Sequence, residues 1–282
     1  CTHFGKTPPC TNLIIKSKIK KVIYSSTDVD KRTSNKAYSL LRSKKINVKK
    51  GLLKYESKKL YTNYFNQKNS KMPYVAAKLA CSNDFFISSN NKFITNKHSR
   101  DVSHILRYNF DSILVSSKTA NADNSKLSCR INGLENFSPK RLIIDKNLKI
   151  NKKSPVINDK NKNNTIIFHS TKDKKKLRYF KLKGIRLSYT DLDSNNNIDL
   201  KKVFLKAYSF GIGSIIIEGG NTLTKSILKD KLINEFYLFK SKKSLRKLGK
   251  NNFFDLKKII NFFKRKKNIE TFLDGDKITK YY

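Results

Sequence analysis

An apolar strand that ends in a Gly–Gly turn and continues directly into a helix constrains the fold of this chain more than any other feature. The strand is predicted over Ser214–Ile217, the turn is Gly219-Gly220, and the helix is predicted over 222–228. A buried strand followed at once by a helix is typical of α/β proteins. The bare glycine backbone also lets an anion approach the N–H groups at the start of the helix.

The same alternation of strands and helices runs along the whole chain and predicts an α/β fold without internal repeats. Strands are predicted at 22–24, 46–48, 74–80, 112–115, 142–144, 165–168, 214–217 and 235–239, and helices at 11–20, 35–45, 52–66, 99–108, 199–210 and 222–228. Residues 269–272 and 277–281 are predicted to form a closing β-hairpin around Asp274-Gly275. A polar stretch at 66–71 that ends at Pro73 indicates a linker, so we predict two domains, 1–70 and 72–282.

Composition excludes several classes of protein. Hydrophobic residues make up 38% of the 282 residues, which is enough for a packed core and argues against disorder. The chain has no apolar run of 18 residues, so no transmembrane helix is expected. Four cysteines in so long a chain do not form a disulfide scaffold, and we expect a reducing, cytoplasmic environment. Because the chain starts at Cys1 without a leader, we expect that an upstream segment is missing.

The formal charge of +41 invites a nucleic-acid interpretation. The lysines, however, are spread from Lys6 to Lys280 and do not form one block. We therefore favour a solvated basic surface over a selected RNA-binding face. Such a surface is expected to attract polyanions non-specifically at low salt.

The N-terminal decapeptide Cys-Thr-His-Phe-Gly-Lys-Thr-Pro-Pro-Cys, residues 1–10, has the pattern of a zinc site. Two thiolates separated by a loop with glycine and proline can converge on one tetrahedral zinc ion. Zinc deaminases use two such cysteines and a histidine, with a glutamate that moves protons for a zinc-bound water.

This decapeptide resembles the deaminase half of the bifunctional riboflavin-biosynthesis deaminase–reductase family, whose usual form is Cys-Ser-His-His-Gly-Arg-Thr-Pro-Pro-Cys. The resemblance implies that residues 1–70 are the C-terminal part of a cytidine-deaminase-like α/β domain, with Cys1 and Cys10 as zinc ligands. The family's histidine ligand and catalytic glutamate lie upstream of this loop. We therefore expect an incomplete zinc site and no deaminase activity.

Residues 72–282 resemble the reductase half of the same family, a relative of dihydrofolate reductase. Separated segments match in the family's order, namely 73–84, 91–95, Arg100-Asp101, Leu106-Arg107, 119–123, 127–130 and 215–223. The resemblance implies an NADPH-dependent reduction of a 5′-phosphorylated ribosylamino-pyrimidine to its ribityl product, in a protein that forms a homodimer. Departures include Phe93 in place of a tryptophan and Asn91 in place of a serine.

The resemblance also implies the site residues. A hydride is delivered to C1′ of a ring-opened imine together with a proton, for which carboxylates or an ammonium group are suitable. The implied catalytic residues are Lys78, Asp123 and Glu218, and Lys78 is also the one charge in an apolar strand. The implied substrate-binding residues are Asn91, Arg107, Leu127, Arg130 and Glu218, with the two arginines as forked donors for the phosphate. The implied cofactor-binding residues are Cys81, Phe93, Thr119, Asp123, Lys146, Gly220, Asn221, Thr222 and Leu223.

Two other interpretations stay open from the sequence. One is a basic RNA-associated protein built on a diverged enzyme scaffold, which requires lysines clustered on one face. The other is a reductase for a different pteridine-like or pyrimidine substrate, because a phosphate clamp does not identify the base.

Overall fold

The computed structural model describes residues 1–5, 7–30, 32–89, 93–252 and 261–282. They form two compact units, Cys1–Met72 and Pro73–Tyr282. Asn91, which the sequence assigned to substrate binding, lies outside the described residues. Within the described residues, every helix is too short or too polar to cross a lipid bilayer.

The smaller unit is built around a parallel pair of strands with a small core. Its elements are α1 (Cys10–Lys16), β1 (Lys21–Tyr24), α2 (Lys36–Ser43), β2 (Asn47–Lys50), α3 (Lys54–Leu60) and α4 (Thr62–Ser70). Strand β1 pairs with β2, and Leu41, Ile46 and Val48 are buried together. The helix predicted over 52–66 is instead two helices: α3 begins at Lys54, after the left-handed backbone of Leu53 (φ 51°), and a turn at Tyr61 separates it from α4.

The larger unit contains a nine-stranded sheet in the order β12-β13-β10-β3-β9-β5-β6-β7-β8. Its strands are β3 (Tyr74–Cys81), β5 (Ser112–Ser116), β6 (Lys140–Ile144), β7 (Thr165–His169), β8 (Arg186–Tyr189), β9 (Ser214–Ile217), β10 (Glu235–Lys240), β12 (Lys266–Asn268) and β13 (Lys277–Tyr281). Neighbouring strands from β10 to β8 are parallel, and β13 runs antiparallel to both β10 and β12. Strands β4 (Phe86–Ser89) and β11 (Gly249–Asn252) form a separate antiparallel pair.

Helices connect the parallel strands. They are α5 (Lys97–Asn109), α6 (Ser117–Asp123), α7 (Pro155–Asn158), α8 (Lys174–Leu182), α9 (Leu200–Ser209) and α10 (Asn221–Lys229). Strand β9 is buried at all positions, as is typical of a central strand in a parallel sheet. The register aligns Ala77 of β3 and Leu114 of β5 with Ile217 of β9. Residues that directly follow these positions therefore meet at one edge of the sheet.

The closing hairpin differs from the sequence prediction. Strand β13 pairs with Lys266–Asn268 and not with 269–272. Only Ile269 continues the ladder, through its N–H to the carbonyl of Ile278. Phe272 is exposed and packs edge-on against the ring of His98. The connection is thus longer than a tight hairpin turn, although Asp274 and Gly275 do have the left-handed backbone expected of turn residues.

Candidate active site

A cleft of about 1110 Å³ lies at the carboxyl edge of the parallel strands of the larger unit. Its walls come from the ends of β3, β6 and β9, from α6 and the start of α10, and from the segment 193–200. The structure brings many of the sequence-predicted site residues together here: the cleft is lined by Lys78, Thr119, Asp123, Lys146, Glu218, Gly220, Asn221, Thr222 and Leu223.

Glu218 lies at the centre of a charge cluster directly after β9. Its carboxylate accepts two hydrogen bonds from the fork of Arg107, Nε to Oε1 at 2.7 Å and Nη2 to Oε2 at 2.9 Å. The Nζ of Lys78 lies 4.0 Å from Oε2. Burial opposes the charge of Glu218, but the nearby cations outweigh it and lower the pKa to about 2. Glu218 is therefore an ionised carboxylate.

Lys78 projects from β3 into the cleft with only 16% of its side chain exposed. Its Nζ lies 5.0 Å from the centroid of the Phe239 ring. Burial lowers the pKa of Lys78, and the negative charges of Glu218 and Asp123 oppose that shift. The lysine that interrupts an apolar strand thus lies in the cleft wall beside its partner Glu218 and does not extend into solvent.

Asp123 is the last residue of α6, which ends where Asn124 takes a left-handed backbone (φ 43°). Burial and then the charge of Glu218 raise the pKa of Asp123, and Lys78 and Arg107 oppose the shift. The cleft therefore contains two carboxyl groups whose pKa values are shifted in opposite directions, which is a common arrangement for acid–base chemistry.

Arg107 lies behind the cleft and not in it, which differs from its expected role as a phosphate ligand. It is only 9% exposed. Its Nη1 donates to the carbonyl of Ser128 at 3.0 Å and lies 3.5 Å from Nδ1 of His104. Each guanidinium nitrogen thus has a protein partner, as a buried charge requires. Arg130 is exposed and remains the available forked donor.

The start of α10 offers backbone donors to the cleft. Gly220 is the N-cap residue and provides no side-chain cap. The N–H groups of the first helical turn have no partners within the helix. A Cβ atom on Gly219 would lie 2.9 Å from Cδ2 and 3.0 Å from Cβ of Leu223, so close packing requires glycine here. Asn221 Oδ1 is buried without a hydrogen-bond partner among the described residues.

Thr119 and Lys146 line other walls of the cleft. The Ser116 Oγ caps α6 by accepting from the N–H of Thr119 at 3.2 Å. Thr119 Oγ1 lies 3.9 Å from the position of a Cβ on Gly220, so the first turns of α6 and α10 are adjacent. Lys146 follows β6, and its Nζ donates to the carbonyl and side-chain oxygens of Asn196 at 2.6 and 2.8 Å.

Besides Arg107, four predicted site residues in the described part of the chain are not among those that line the cleft. Cys81 is fully buried at the end of β3, and burial raises the pKa of its thiol to about 12. Leu127 is also buried. Phe93 is 51% exposed, and its ring centroid lies 4.2 Å from Cζ of Arg100. Arg130, the fourth, lies close enough to affect the pKa of His104.

Sequence reasoning missed His104 and the segment 193–200. His104 lies three positions before Arg107 on α5, a spacing that places both on one helix face, and this spacing was the available signal. The segment 193–200 has no comparable signal in the sequence. It lines the cleft because Asp193 Oδ1 accepts from the N–H groups of Asn195 and Asn197 and holds the loop in shape.

In the smaller unit the two predicted zinc ligands come together. Cys1 Sγ and Cys10 Sγ lie 3.9 Å apart at the start of α1, and both are exposed and free. Within the described part of the chain, no group of three or more His, Cys, Asp or Glu side chains is arranged to hold a metal ion. Two thiolates do not complete a tetrahedral zinc site, and we derive no zinc-dependent step from them.

Comparison with known proteins gives one family model, described as RibD C-terminal domain, which matches residues 73–272. The riboflavin biosynthesis protein RibD of Buchnera aphidicola subsp. Baizongia pistaciae is 31% identical over 271 residues, which is 90% of this chain and 71% of that protein. The RibD of Aquifex aeolicus is 31% identical over 242 residues, or 85% of this chain and 66% of that protein. The chain spans slightly less than two thirds of several curated relatives, with shares of 64 to 66%.

Solved structures resemble the chain along nearly its whole length. Acinetobacter baumannii RibD has a TM-score of 0.82 at 21% identity, covering 100% of this chain and 77% of that chain. The diaminohydroxyphosphoribosylaminopyrimidine deaminase/5-amino-6-(5-phosphoribosylamino)uracil reductase of Thermotoga maritima has a TM-score of 0.79 at 26% identity, covering 99% and 76%. The α/β class and the dihydrofolate-reductase-like reductase fold predicted from the sequence are confirmed.

Proposed function

Since this chain belongs to the RibD C-terminal domain family, we propose that it reduces the ribosyl side chain of 5-amino-6-(5-phosphoribosylamino)uracil to ribityl with NADPH, in riboflavin biosynthesis. The observation that carries this proposal is the single cleft in which Lys78, Asp123 and Glu218 lie beside the exposed backbone at the start of α10. A glycine turn of this kind without titratable groups beside it would support the binding of a dinucleotide but not catalysis.

The residues of the cleft fit a dinucleotide. The start of α10 presents N–H donors to an anion, and the Gly219–Gly220 backbone allows close approach of phosphate. The orphaned oxygen of Asn221 can accept from a polar group of the cofactor. In this proposal Thr119, Gly220, Asn221, Thr222 and Leu223 hold the phosphates, and Lys146 contacts a more distant part of the same cofactor. When bound, NADPH supplies the hydride for C1′ of the substrate.

The opposite pKa shifts divide the remaining work between the carboxyl groups. We assign donation of a proton to the imine nitrogen, as the C1′–H bond forms, to Asp123, whose pKa is raised by burial and by the charge of Glu218. This proton and the hydride together convert the C=N bond into a C–N bond. Glu218 stays ionised and accepts a hydrogen bond from the substrate. In this proposal the positive charge of Lys78 offsets the negative charge of Glu218, and its contact with Oε2 helps to orient that carboxylate.

The substrate phosphate requires a cation outside the buried pair. Arg107 is occupied by Glu218 and Ser128, so we assign the 5′-phosphate to Arg130, which is exposed. A guanidinium can bind a phosphate with two parallel hydrogen bonds. A pteridine-like substrate without a phosphate would gain nothing from Arg130, so the KM of an Arg130→Gln variant separates these two substrate classes.

The chemical roles are tested by two substitutions that conserve shape, Asp123→Asn and Glu218→Gln. Each is expected to lower kcat by at least about 100-fold, because Asp123→Asn removes the proposed proton donor and Glu218→Gln removes the ionised carboxylate that holds the substrate. The measurement is NADPH oxidation followed at 340 nm with the deaminated ribosylamino-uracil phosphate as substrate. Asp101→Asn on α5 is the matched control, since Asp101 is an exposed carboxylate that does not line the cleft. Normal rates for both cleft variants would disprove the assigned chemistry.

For residues 1–70 we propose a partial zinc deaminase domain that does not catalyse deamination in this chain. The converging side chains of Cys1 and Cys10 support the first part. The second part rests on coordination chemistry, because two cysteines do not complete a tetrahedral zinc site. The test is ammonia release from the diaminopyrimidine substrate in the presence of zinc. We expect none above the level of a Cys10→Ser variant, and zinc-dependent release would overturn the proposal.

The other predictions stay as proposals with simple tests. A homodimer is expected from the family resemblance and is measured by sedimentation equilibrium. The rival interpretation, an RNA-associated protein on a diverged scaffold, gains no support from the family or from the cleft.

A further inference from the structure

We propose that His104 is a positioning residue which, through Arg107, fixes the orientation of the Glu218 carboxylate in the active site. This inference rests on the proposed reductase function for its catalytic test. It goes beyond that function because His104 neither lines the cleft nor belongs to the implied site residues. The geometry of α5 carries it.

His104 and Arg107 lie on one face of α5. They are three positions apart, a spacing at which side chains on a helix are neighbours. His104 is 8% exposed and Arg107 is 9% exposed, so both polar side chains are withdrawn from solvent. A polar pair buried on the same face is costly unless its members are held by specific partners.

Arg107 is held at two ends of its planar guanidinium. Toward the cleft, Nε and Nη2 donate to the two oxygens of Glu218 at 2.7 and 2.9 Å. Away from Glu218, Nη1 donates to the carbonyl of Ser128 at 3.0 Å and lies 3.5 Å from Nδ1 of His104. Because the guanidinium is rigid, contacts at Nη1 determine the plane in which Nε and Nη2 meet the carboxylate. His104 is one of the two groups at that end.

The charges around His104 favour a neutral ring. Arg107 from α5 and Arg130 after Cys129 are positive, and Glu218 after β9 is the negative group that faces it. Burial and then the two arginines lower the pKa of His104 to about 4, against the opposing effects of Glu218 and of a hydrogen bond between the ring and the backbone of Ser128. A neutral imidazole with its proton on Nε2 keeps a lone pair on Nδ1 for Arg107. A doubly protonated ring would lose this acceptor and repel the guanidinium.

The first arm of the test compares three variants in the full chain. His104→Leu removes the acceptor, His104→Gln keeps one, and His98→Gln is the control, because His98 is an exposed histidine on the same helix. We expect kcat to fall about 10-fold or more in His104→Leu, since small misplacements of a catalytic group carry large costs. The KM for NADPH is expected to stay within twofold of the wild-type value. His104→Gln should recover most of the loss, and His98→Gln should behave as wild type.

The second arm reads the imidazole directly and does not need turnover. The chain has four histidines, so ¹⁵N spectra of a histidine-labelled sample can be assigned by comparison with the His104→Gln and His98→Gln variants. We expect the His104 ring to be protonated only on Nε2 at pH 7, and its Nδ1 signal to shift in an Arg107→Lys variant. Melting temperatures of all variants check that they fold.

The outcomes separate this inference from the proposed function. Wild-type activity in His104→Leu, or a ring protonated on Nδ1 at pH 7, would overturn the positioning role. A wild-type chain that does not oxidise NADPH with the substrate contradicts the proposed function, and the nitrogen spectra then decide the His104–Arg107 contact by themselves. If His104→Leu fails to fold, the inference is still supported by an unchanged kcat in His104→Gln together with a wild-type ring protonated on Nε2. A lowered kcat in His104→Gln together with a wild-type ring protonated on Nδ1 would oppose it.

Discussion

Single residues in the cleft acquire their chemistry from their neighbours. Glu218 and Asp123 are both carboxylic acids, yet the pKa of Glu218 is lowered to about 2 and that of Asp123 is raised. The difference is the fork of Arg107, which reaches only Glu218. Asp123 instead feels burial and the negative charge of Glu218 itself. The bidentate contact with Arg107 therefore accounts for much of the difference between the two carboxyl groups.

The buried histidine gives a pH prediction at the residue scale. The pKa of His104 is lowered from 6.5 to about 4, so the unfolded chain binds a proton more readily than the folded chain between these values. The free energy of unfolding is therefore expected to fall as the pH is lowered from 6.5 toward 4. The His104→Gln protein should lack the part of this decrease in the free energy of unfolding that comes from His104. The difference between the two proteins over that window should be about 1 to 3 kcal/mol, because one pKa unit corresponds to about 1.4 kcal/mol.

Urea unfolding of wild-type protein and His104→Gln at several pH values measures this difference. His169 is also buried with a lowered pKa, but it is present in both proteins and cancels. Parallel stability curves for the two proteins between pH 6.5 and 4 would show that His104 is not buried in its neutral form.

At the scale of elements, the junction between β9 and α10 determines how close a ligand can come. Gly219 packs against Leu223 so tightly that a Cβ atom would lie within 3.0 Å of the Leu223 Cβ. At Gly220 the nearest atom to a Cβ is Thr119 Oγ1 at 3.9 Å. Neither residue has a positive φ, so the requirement at Gly219 is space and not backbone conformation.

This contrast between adjacent glycines makes a matched pair of variants. Gly219→Ala is expected to lower the free energy of unfolding by about 1 to 3 kcal/mol, because overpacking displaces Leu223 and the first turn of α10. Gly220→Ala should change stability by less than about 0.5 kcal/mol. Thermal melts with and without NADPH give the measurement, and Gly219→Ala should also show a smaller shift on adding NADPH. Equal melting temperatures for both variants would contradict the packing argument.

At the scale of the whole molecule, the chain consists of two units that each have a core of their own. The larger core includes Ile113, Ile143 and Ile216 from the central strands. Among the described residues, the smaller core is built on three buried hydrophobic side chains, Leu41, Ile46 and Val48. The division at Met72/Pro73 follows α4 directly, and because α4 ends at Ser70 most of the stretch predicted as a linker, 66–71, is helical. The assignment of the first unit to a partial deaminase domain stays a prediction.

The net charge of +41 is a property of the whole chain and predicts how it binds polyanions. If the basic surface is only solvated, binding to a polyanion such as heparin should be detectable at about 50 mM salt. It should weaken by about 1000-fold or more at about 200 mM, because release of counterions drives such binding. Fluorescence anisotropy of labelled heparin and of labelled RNA at several salt concentrations measures this. Tight RNA binding that persists at physiological salt would instead favour a selected RNA site.

Local patterns in the sequence were enough for the class of fold and for much of the cleft. Short continuous apolar runs predict β3, β5 and β9, because a strand in a parallel sheet is buried on both faces, and the Gly–Gly turn predicts the helix α10 that follows β9. The Gly–Gly turn predicts the junction of β9 and α10 that lines the cleft, since missing side chains are visible in the sequence itself; phosphate binding there stays a prediction. The closing hairpin was placed wrongly, because the pairing partner of β13 depends on register and not on turn residues.

The tertiary structure alone decided which charges meet. Arg107 and Glu218 are 111 positions apart, and nothing in either segment indicates that they form a bidentate pair. The parallel register of β3, β9 and β5 brings the ends of these strands to one edge, and α5 packs Arg107 behind it. The sequence segments, through their family resemblance, predict that Lys78, Asp123 and Glu218 share one cleft, and they do. Their pairing depends on distances of a few ångströms between distant segments, and these arise only when the sheet is assembled.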